Sequence, residues 1–206
     1  DISTSFSLSD FTNTTENQSV IKKISNSQII TDNLNKVAND GTTLNFRSAV
    51  SGKLKIDSLG SEWVNDIFFN FTKNKTQQAF TTDFTTPFNF TTAGDGIGNN
   101  TRDHFNLQSD IKLKLKKKFT LETGAKASFL SFKSITNYFK EEPAGNRQKD
   151  IGRTNTFNYN ENINSLYIQG SKTLGKDVVI KFGTRLENTN MKGRQIIPDD
   201  TSFNIQ

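Results

Sequence analysis

The chain has 206 residues, 32% of them hydrophobic and 18 of them Phe, and carries a formal net charge of +5. A soluble globular domain is about 45–50% apolar with Gly included, so this balance fits a disordered chain or a sheet with one polar face; regular alternation argues against disorder. The lack of cysteine removes disulfides, thiolate metal sites and cysteine catalysis, and with no run near the ~20 apolar residues of a membrane helix, any membrane span must be β.

The first predicted strand is Ser3 to Asp10, with Phe6 and Leu8 on one face. Before it, Asp1 to Phe6 has no basic start and no apolar stretch, so no signal peptide is visible; an exported chain would have lost one, or the sequence is an internal piece. Phe11 to Gly41 is rich in Thr, Asn, Ser and Lys; its Val20 to Ile30 part alternates badly, and the stretch reads as a long loop, with a β extension as the alternative. Leu44 to Asp57 is a strand with Leu44, Phe46, Val50, Leu54 and Ile56 opposite Arg47, Lys53 and Lys55. Asp57 to Gly60 has the residues of a tight turn. In the strand from Glu62 to Lys73, Trp63, Ile67, Phe69 and Phe71 oppose Glu62, Asp66, Asn70 and Thr72.

Gln77 to Arg102 reads as a polar loop containing Pro87. Its Gly94 to Asn100 stretch lacks the strand-to-helix setting of a phosphate loop and the acidic spacing of a calcium loop, so a flexible loop is the plainer reading. Asp103 to Leu115 alternates most clearly: Phe105, Leu107, Ile111, Leu113 and Leu115 oppose His104, Asn106, Gln108, Asp110, Lys112 and Lys114. After a Lys116–Lys118 turn, a strand starts at Phe119 and reaches toward Phe139. Glu141 to Arg153 reads as another loop. Asn158 to Leu174 and Val178 to Asn190 form a hairpin around Gly175. In its first strand Leu166, Ile168 and Leu174 oppose Glu161, Ser165, Tyr167 and Gln169. In its second Val178, Ile180, Phe182 and Leu186 oppose Lys181, Gly183, Arg185 and Glu187. After Lys192 the chain reads as loop.

Every second connection is short. Runs of about 10 alternating residues, with short turns at one end and long loops at the other, are the pattern of a membrane β-barrel. The expected fold is all-β: an antiparallel up-and-down meander of about seven strands, residues 1–206 as a single region, part of a transmembrane outer-membrane barrel. Apolar faces then meet lipid and polar faces line the lumen, which accommodates Asp110, Lys126, Lys181, Arg185 and Glu187 in mid-strand. Trp63, Phe119 and Phe139 are candidates for the bilayer interfaces. Short turns are expected at the periplasmic end, long loops outside the cell.

Several segments resemble TonB-dependent outer-membrane receptors: Asn158 to Lys176, Phe182-Gly183-Thr184-Arg185-Leu186-Glu187-Asn188-Thr189, Leu121 to Ser128, and Phe105 to Ile111. The resemblance covers roughly Leu44 to Lys192. It implies a barrel of about 22 strands with a plugged lumen, uptake of a bound nutrient, and as partners outer-membrane lipid, TonB, the receptor's own plug domain and a surface lipoprotein. Seven strands are too few for that barrel, so the chain reads as a portion of a larger receptor, without the plug.

Candidate lumenal residues are Glu161, Tyr167, Lys181, Arg185 and Glu187, lining a solute path, holding a plug, or simply pairing across strands. His104 is the sole His, so neither a catalytic triad nor a multi-His metal site forms. No enzyme, cofactor or metal is expected. The lysines are spread rather than clustered, so no nucleic-acid partner is expected either. The alternatives are a small structural or adhesion barrel of about eight strands, with Val20 to Ile30 supplying one, and, least supported, an outer-membrane enzyme.

Overall fold

The computed structural model describes residues 1–116, 118–141, 145–175 and 178–205. These contain nine antiparallel strands: β1 (Ile2–Lys22), β2 (Ile29–Lys55), β3 (Glu62–Thr86), β4 (Phe90–Leu115), β5 (Phe119–Glu141), β6 (Arg147–Lys149), β7 (Asn155–Leu174), β8 (Val178–Ile197) and β9 (Thr201–Ile205). They form one sheet in the order β1-β2-β3-β4-β5-β7-β8-β9, with β6 added to β5, and β1 and β9 are not paired with each other. The antiparallel meander is the expected fold. Nine strands replace the seven expected, because β6 and β9 are too short to show alternation.

The larger correction concerns the loops. Phe11 to Gly41 is mostly strand, in a hairpin of β1 and β2. Gln77 to Arg102 is strand apart from Pro87 to Asn89, and Gly94 to Asn100 lies within β4. The stretch after Lys192 continues β8 and adds β9. Polar side chains on both faces hide these strands from a search for alternation. The backbone ladder holds them together, with cross-strand bonds such as Thr12 Oγ1 to Asp40 Oδ1 (2.8 Å), Thr42 Oγ1 to Asp10 Oδ1 (2.7 Å) and Asn39 Nδ2 to Asn13 Oδ1 (2.9 Å). The asymmetry between the two ends is therefore in strand length rather than loop length. β2 to β5 run 27, 25, 26 and 23 residues, against the 9–11 or so that cross a bilayer.

At the short end the turns are tight. Asp57 Oδ1 accepts the Leu59 and Ser61 amides, both at 2.9 Å. Gly60 takes φ +89°, which a side chain would resist. Ser61 Oγ accepts the Lys114 amide at 2.8 Å, tying this turn to β4. Lys117 of the second expected turn, Pro143 of the Glu141–Arg153 loop, and Lys176 and Asp177 of the third turn lie outside the described residues.

No apolar side chain is buried among the described residues; Leu166, Leu186 and Phe182 are 62%, 72% and 83% exposed. The apolar residues instead form a band on one face. Its near edge follows Trp63, Leu115 and Phe119, then Leu174 and Val178. Its far edge follows Phe71, Phe105 and Phe129, then Leu166 and Leu186. On each strand the band is nine to eleven residues long, and its eight to ten steps span roughly 26–33 Å at 3.3 Å per step.

The band runs obliquely to the hydrogen-bonded rows. Phe71 pairs through Asp103, Ser131 and Asn160 to Lys192, six residues beyond Leu186 on β8. The near edge shifts the same way by the same amount, since Trp63 is in row with Thr184, six residues beyond Val178 on β8. Six residues are roughly 20 Å, and the four strand spacings from β3 to β8 roughly 19 Å. A level band thus requires strands tilted by about 45°, the tilt of a membrane barrel, and its height becomes roughly 18–23 Å, close to the ~25 Å apolar belt of such barrels.

Trp63 and Phe119 sit at the near edge as expected. The Trp63 indole N–H, which hydrocarbon would leave unpaired, donates to Ser109 Oγ at 2.8 Å. Phe139 does not sit at an edge: it lies ten residues beyond Phe129 on β5. An aromatic row at the far edge replaces it, with Phe46 and Phe69, and Phe105 and Phe129, each 6.2 Å apart between ring centres.

Candidate functional site

The face opposite the apolar band carries the polar side chains, and all five candidate residues project from it on β7 and β8. Three come together: Tyr167, Lys181 and Arg185 border an open depression of about 550 Å³ with Gln108 and Gln169. Gly183 forms its floor, paired with Gln169 and contributing no side chain. Glu187 joins the margin through an ion pair with Arg185 at 2.6 Å. That pair runs along one strand between half-exposed groups and contributes little to stability. Glu161 stands apart, opposite Met191, and accepts the Tyr159 hydroxyl at 2.6 Å. The expected cross-strand pairing of Glu161, Arg185 and Glu187 does not form. Their register partners are Met191, Tyr167 and Ser165.

The residues that organise this face were not all singled out by sequence. The Tyr167 hydroxyl donates to Asp110 Oδ1 at 2.7 Å, spanning β5 to reach β4. It can do so because Gly124 is the β5 residue in register between them. A Cβ on Gly124 would strike the Asp110 carboxylate and the Tyr167 ring. Gln108 Nε2 donates to the other Asp110 oxygen at 2.6 Å. A glycine inside an alternating strand signals such a close approach.

Toward the turns, charges alternate across the strands: Lys53 pairs with Glu62, Lys112 with Glu122 at 3.5 Å, and Gln169 Nε2 donates to Glu122 at 3.0 Å. His104 is on the same face, its Nε2 3.1 Å from Asn106 Nδ2 and 3.4 Å from Ser128 Oγ. Among the described residues no group of three His, Asp or Glu side chains is placed to hold a metal. The arrangement presents fixed hydrogen-bond donors and acceptors of both charges. It is suited to reversible contact with a polar partner.

Beyond the band this face is built differently. Gly94, Gly96 and Gly98 are buried beneath Phe80, Tyr138 and Thr76. Arg153, from the β5–β7 connection, lies over the Phe80 and Tyr138 rings at 4.4 and 4.2 Å. On the other face Arg147 makes a two-pronged bond to Asp95, at 2.7 and 2.5 Å, and stacks on Phe139 at 3.5 Å. The two arginines clamp the connection to both faces of the sheet, Arg153 over β3 and β5 and Arg147 over β4 and β5.

The Arg147 guanidinium holds the Asp95 carboxyl below its ordinary value of 3.8. A depressed carboxylate contributes its anchor above that value and loses it as pH falls below it. Arg147→Ala is expected to raise amide hydrogen exchange across residues 145–154 several-fold at neutral pH. The same loss of protection, measured against the intrinsic exchange rate at each pH, should appear in the unmodified protein as the pH falls through the depressed Asp95 value. Unchanged exchange in the variant would remove the clamp from the account.

The sequence profile of the outer membrane protein beta-barrel family matches residues 54–205. No curated protein matches the sequence. Among solved structures, the unliganded ferric citrate transporter FecA aligns over 95% of this chain and 38% of its own, with 10% identity and a TM-score of 0.30. The alcaligin outer-membrane receptor FauA from Bordetella pertussis aligns over 100% and 38%, with 11% identity and a TM-score of 0.32. The chain thus spans about two fifths of the length of either.

Proposed function

The chain belongs to the outer membrane protein beta-barrel family and lies in the bacterial outer membrane, and from that premise we propose that it forms a wall segment of a TonB-dependent receptor that takes up a bound nutrient. The apolar band meets lipid, and the polar face is turned to the lumen. The observation that carries the reading is the depression around Gly183, where Lys181 and Arg185 present donors to whatever fills the lumen, beside the Tyr167 ring whose hydroxyl is held by Asp110. The receptor's plug is the proposed occupant, coupled to TonB. The segments at Phe105 to Ile111, Leu121 to Ser128 and Phe182 to Thr189, which resemble such receptors, support the same reading. A small structural or adhesion barrel would have its edge strands paired, and β1 and β9 are not.

Single cysteines in the full-length protein test both sidedness and plugging, since the chain has no cysteine of its own. With the long strand extensions outside the cell and the tight turns in the periplasm, a membrane-impermeant thiol reagent labels Thr86→Cys in intact cells and spares Ser58→Cys until the membrane is opened. Lys181→Cys is spared in intact cells and becomes reactive when the plug is deleted. Labelling of Ser58→Cys alone would invert the topology. Equal labelling of Lys181→Cys with and without the plug would refute the plugged lumen.

A further inference from the structure

The apolar band has a hollow over β5, β7 and β8. Ala125 and Ala127 are small where their neighbours Leu107, Leu166 and Leu186 are large, and an apolar depression of about 490 Å³ lies over them. A second depression, of about 420 Å³, lies further from the turns on the same face. It is floored by Phe105 and Phe129 and bordered by Ser131, Asn162, Asn190 and Lys192. The far edge of the band runs between the two, so one hollow is at the depth of acyl chains and the other at the depth of headgroups.

The polar hollow is equipped for a phosphorylated sugar. Asn162 faces Asn190, and Asn164 faces Asn188, directly across β7 and β8. Asn164 Nδ2 donates to Asn162 Oδ1 at 2.7 Å, and Asn190 Nδ2 to Asn188 Oδ1 at 2.6 Å. Asn190, which lines this hollow, keeps a second N–H for a ligand, while Asn164 and Asn188 border the first hollow. Lys192 lines the hollow and Lys133 stands one step beyond Ser131 on the same face, giving cations for phosphate. Asp103 is the carboxylate on that side. The hollow extends from β4 to β8, three strand spacings or roughly 14 Å, wider than a single phosphodiester needs.

We propose that this face binds one molecule of lipopolysaccharide, an acyl chain lying on Ala125 and Ala127 and the phosphorylated disaccharide held by Asn162, Asn190 and Lys192. The hollow is continuous with the lipid-facing band, and its cations complement the phosphates. The proposal rests on the sidedness given above, which places the far edge in the outer leaflet; the Thr86 and Ser58 labels report a failure of that premise separately.

The test uses the full-length protein in detergent, titrated with purified lipopolysaccharide or with phosphatidylglycerol and read by native mass spectrometry. The unaltered protein retains one lipopolysaccharide that excess phosphatidylglycerol does not displace. Ala127→Phe fills the apolar hollow and the pair Asn190→Ala with Lys192→Ala strips the polar one; each lowers retention at least tenfold. Leu113→Phe, on the same face but outside the hollow, leaves it unchanged. Should Ala127→Phe fail to assemble, Ala125→Val makes the same test with a smaller side chain. Equal retention in all variants, or displacement by phosphatidylglycerol, would overturn the proposal in favour of ordinary annular lipid.

Discussion

Replacing Ile111 with Arg in the full-length protein is expected to cost the assembled barrel about 2–4 kcal/mol, the penalty for Arg on the lipid face at the bilayer midplane. Ile111 lies on the apolar face of β4, between the band edges at Phe105 and Leu115, with Trp63 and Thr123 as its register partners. Leu115→Arg, at the edge, falls where the same penalty is only about 0–1 kcal/mol. Lys112→Leu alters the opposite face and removes one half of a solvated ion pair with Glu122, so it should assemble with little loss. The measurement is the fraction of protein in the outer membrane that keeps its folded electrophoretic mobility without heating. Normal assembly of Ile111→Arg together with failure of Lys112→Leu would mean that the two faces are exchanged. Equal losses at Ile111 and Leu115 would remove the depth dependence, and with it the slanted band.

That band was half legible in the sequence. The alternation from Phe105 to Leu115 and from Val178 to Leu186 showed which side chains share a face, because lipid on one side and water on the other impose opposite demands on neighbouring residues. The slant was not legible, since it exists only in the register: Phe71 is apolar while Asp103, Ser131 and Asn160 in its row are polar. The strand extensions were missed for the converse reason. Beyond the far edge both faces meet water or short polar neighbours, so nothing forces alternation on Thr12, Asn39 or Gln78. Those stretches are strands because the neighbouring strand is there to pair with. Gly94, Gly96 and Gly98 were misread most plainly. Three glycines in seven residues suggest a loop, yet here they leave the space that the Phe80, Tyr138 and Thr76 side chains of the neighbouring strands fill. Alternation placed all five candidate residues on one common face. It could not say that Tyr167 joins Lys181 and Arg185 at Gly183, since that depends on which residue stands opposite which across β7 and β8.

Gly124→Ala is expected to destabilise the protein by about 1–3 kcal/mol, the range for disrupting a buried hydrogen-bonded group, although Ala suits a strand better than Gly. The added methyl would meet the Asp110 carboxylate, the Tyr167 ring and, at 2.8 Å, the carbonyl oxygen of Ser109. The side chains can turn away, at the expense of the Tyr167–Asp110 bond, but the carbonyl belongs to the ladder between β4 and β5 and cannot move without breaking it. Gly52→Ala is the matched comparison. Nothing lies within 4 Å of a Cβ there, so the same substitution should be neutral, or stabilising by about 0.4–1 kcal/mol through the unfolded chain. Denaturant titration of the folded barrel in detergent gives both values. Tyr167→Phe, which removes the hydroxyl but keeps the ring, separates the two contributions. If the bond to Asp110 is what Gly124 permits, Gly124→Ala adds less in the Tyr167→Phe background than alone, because part of its penalty has already been incurred. Full additivity would leave the steric contact with Ser109 as the whole effect, and a Gly124→Ala protein as stable as Gly52→Ala would show that the Tyr167 ring does not cross β5 at Gly124.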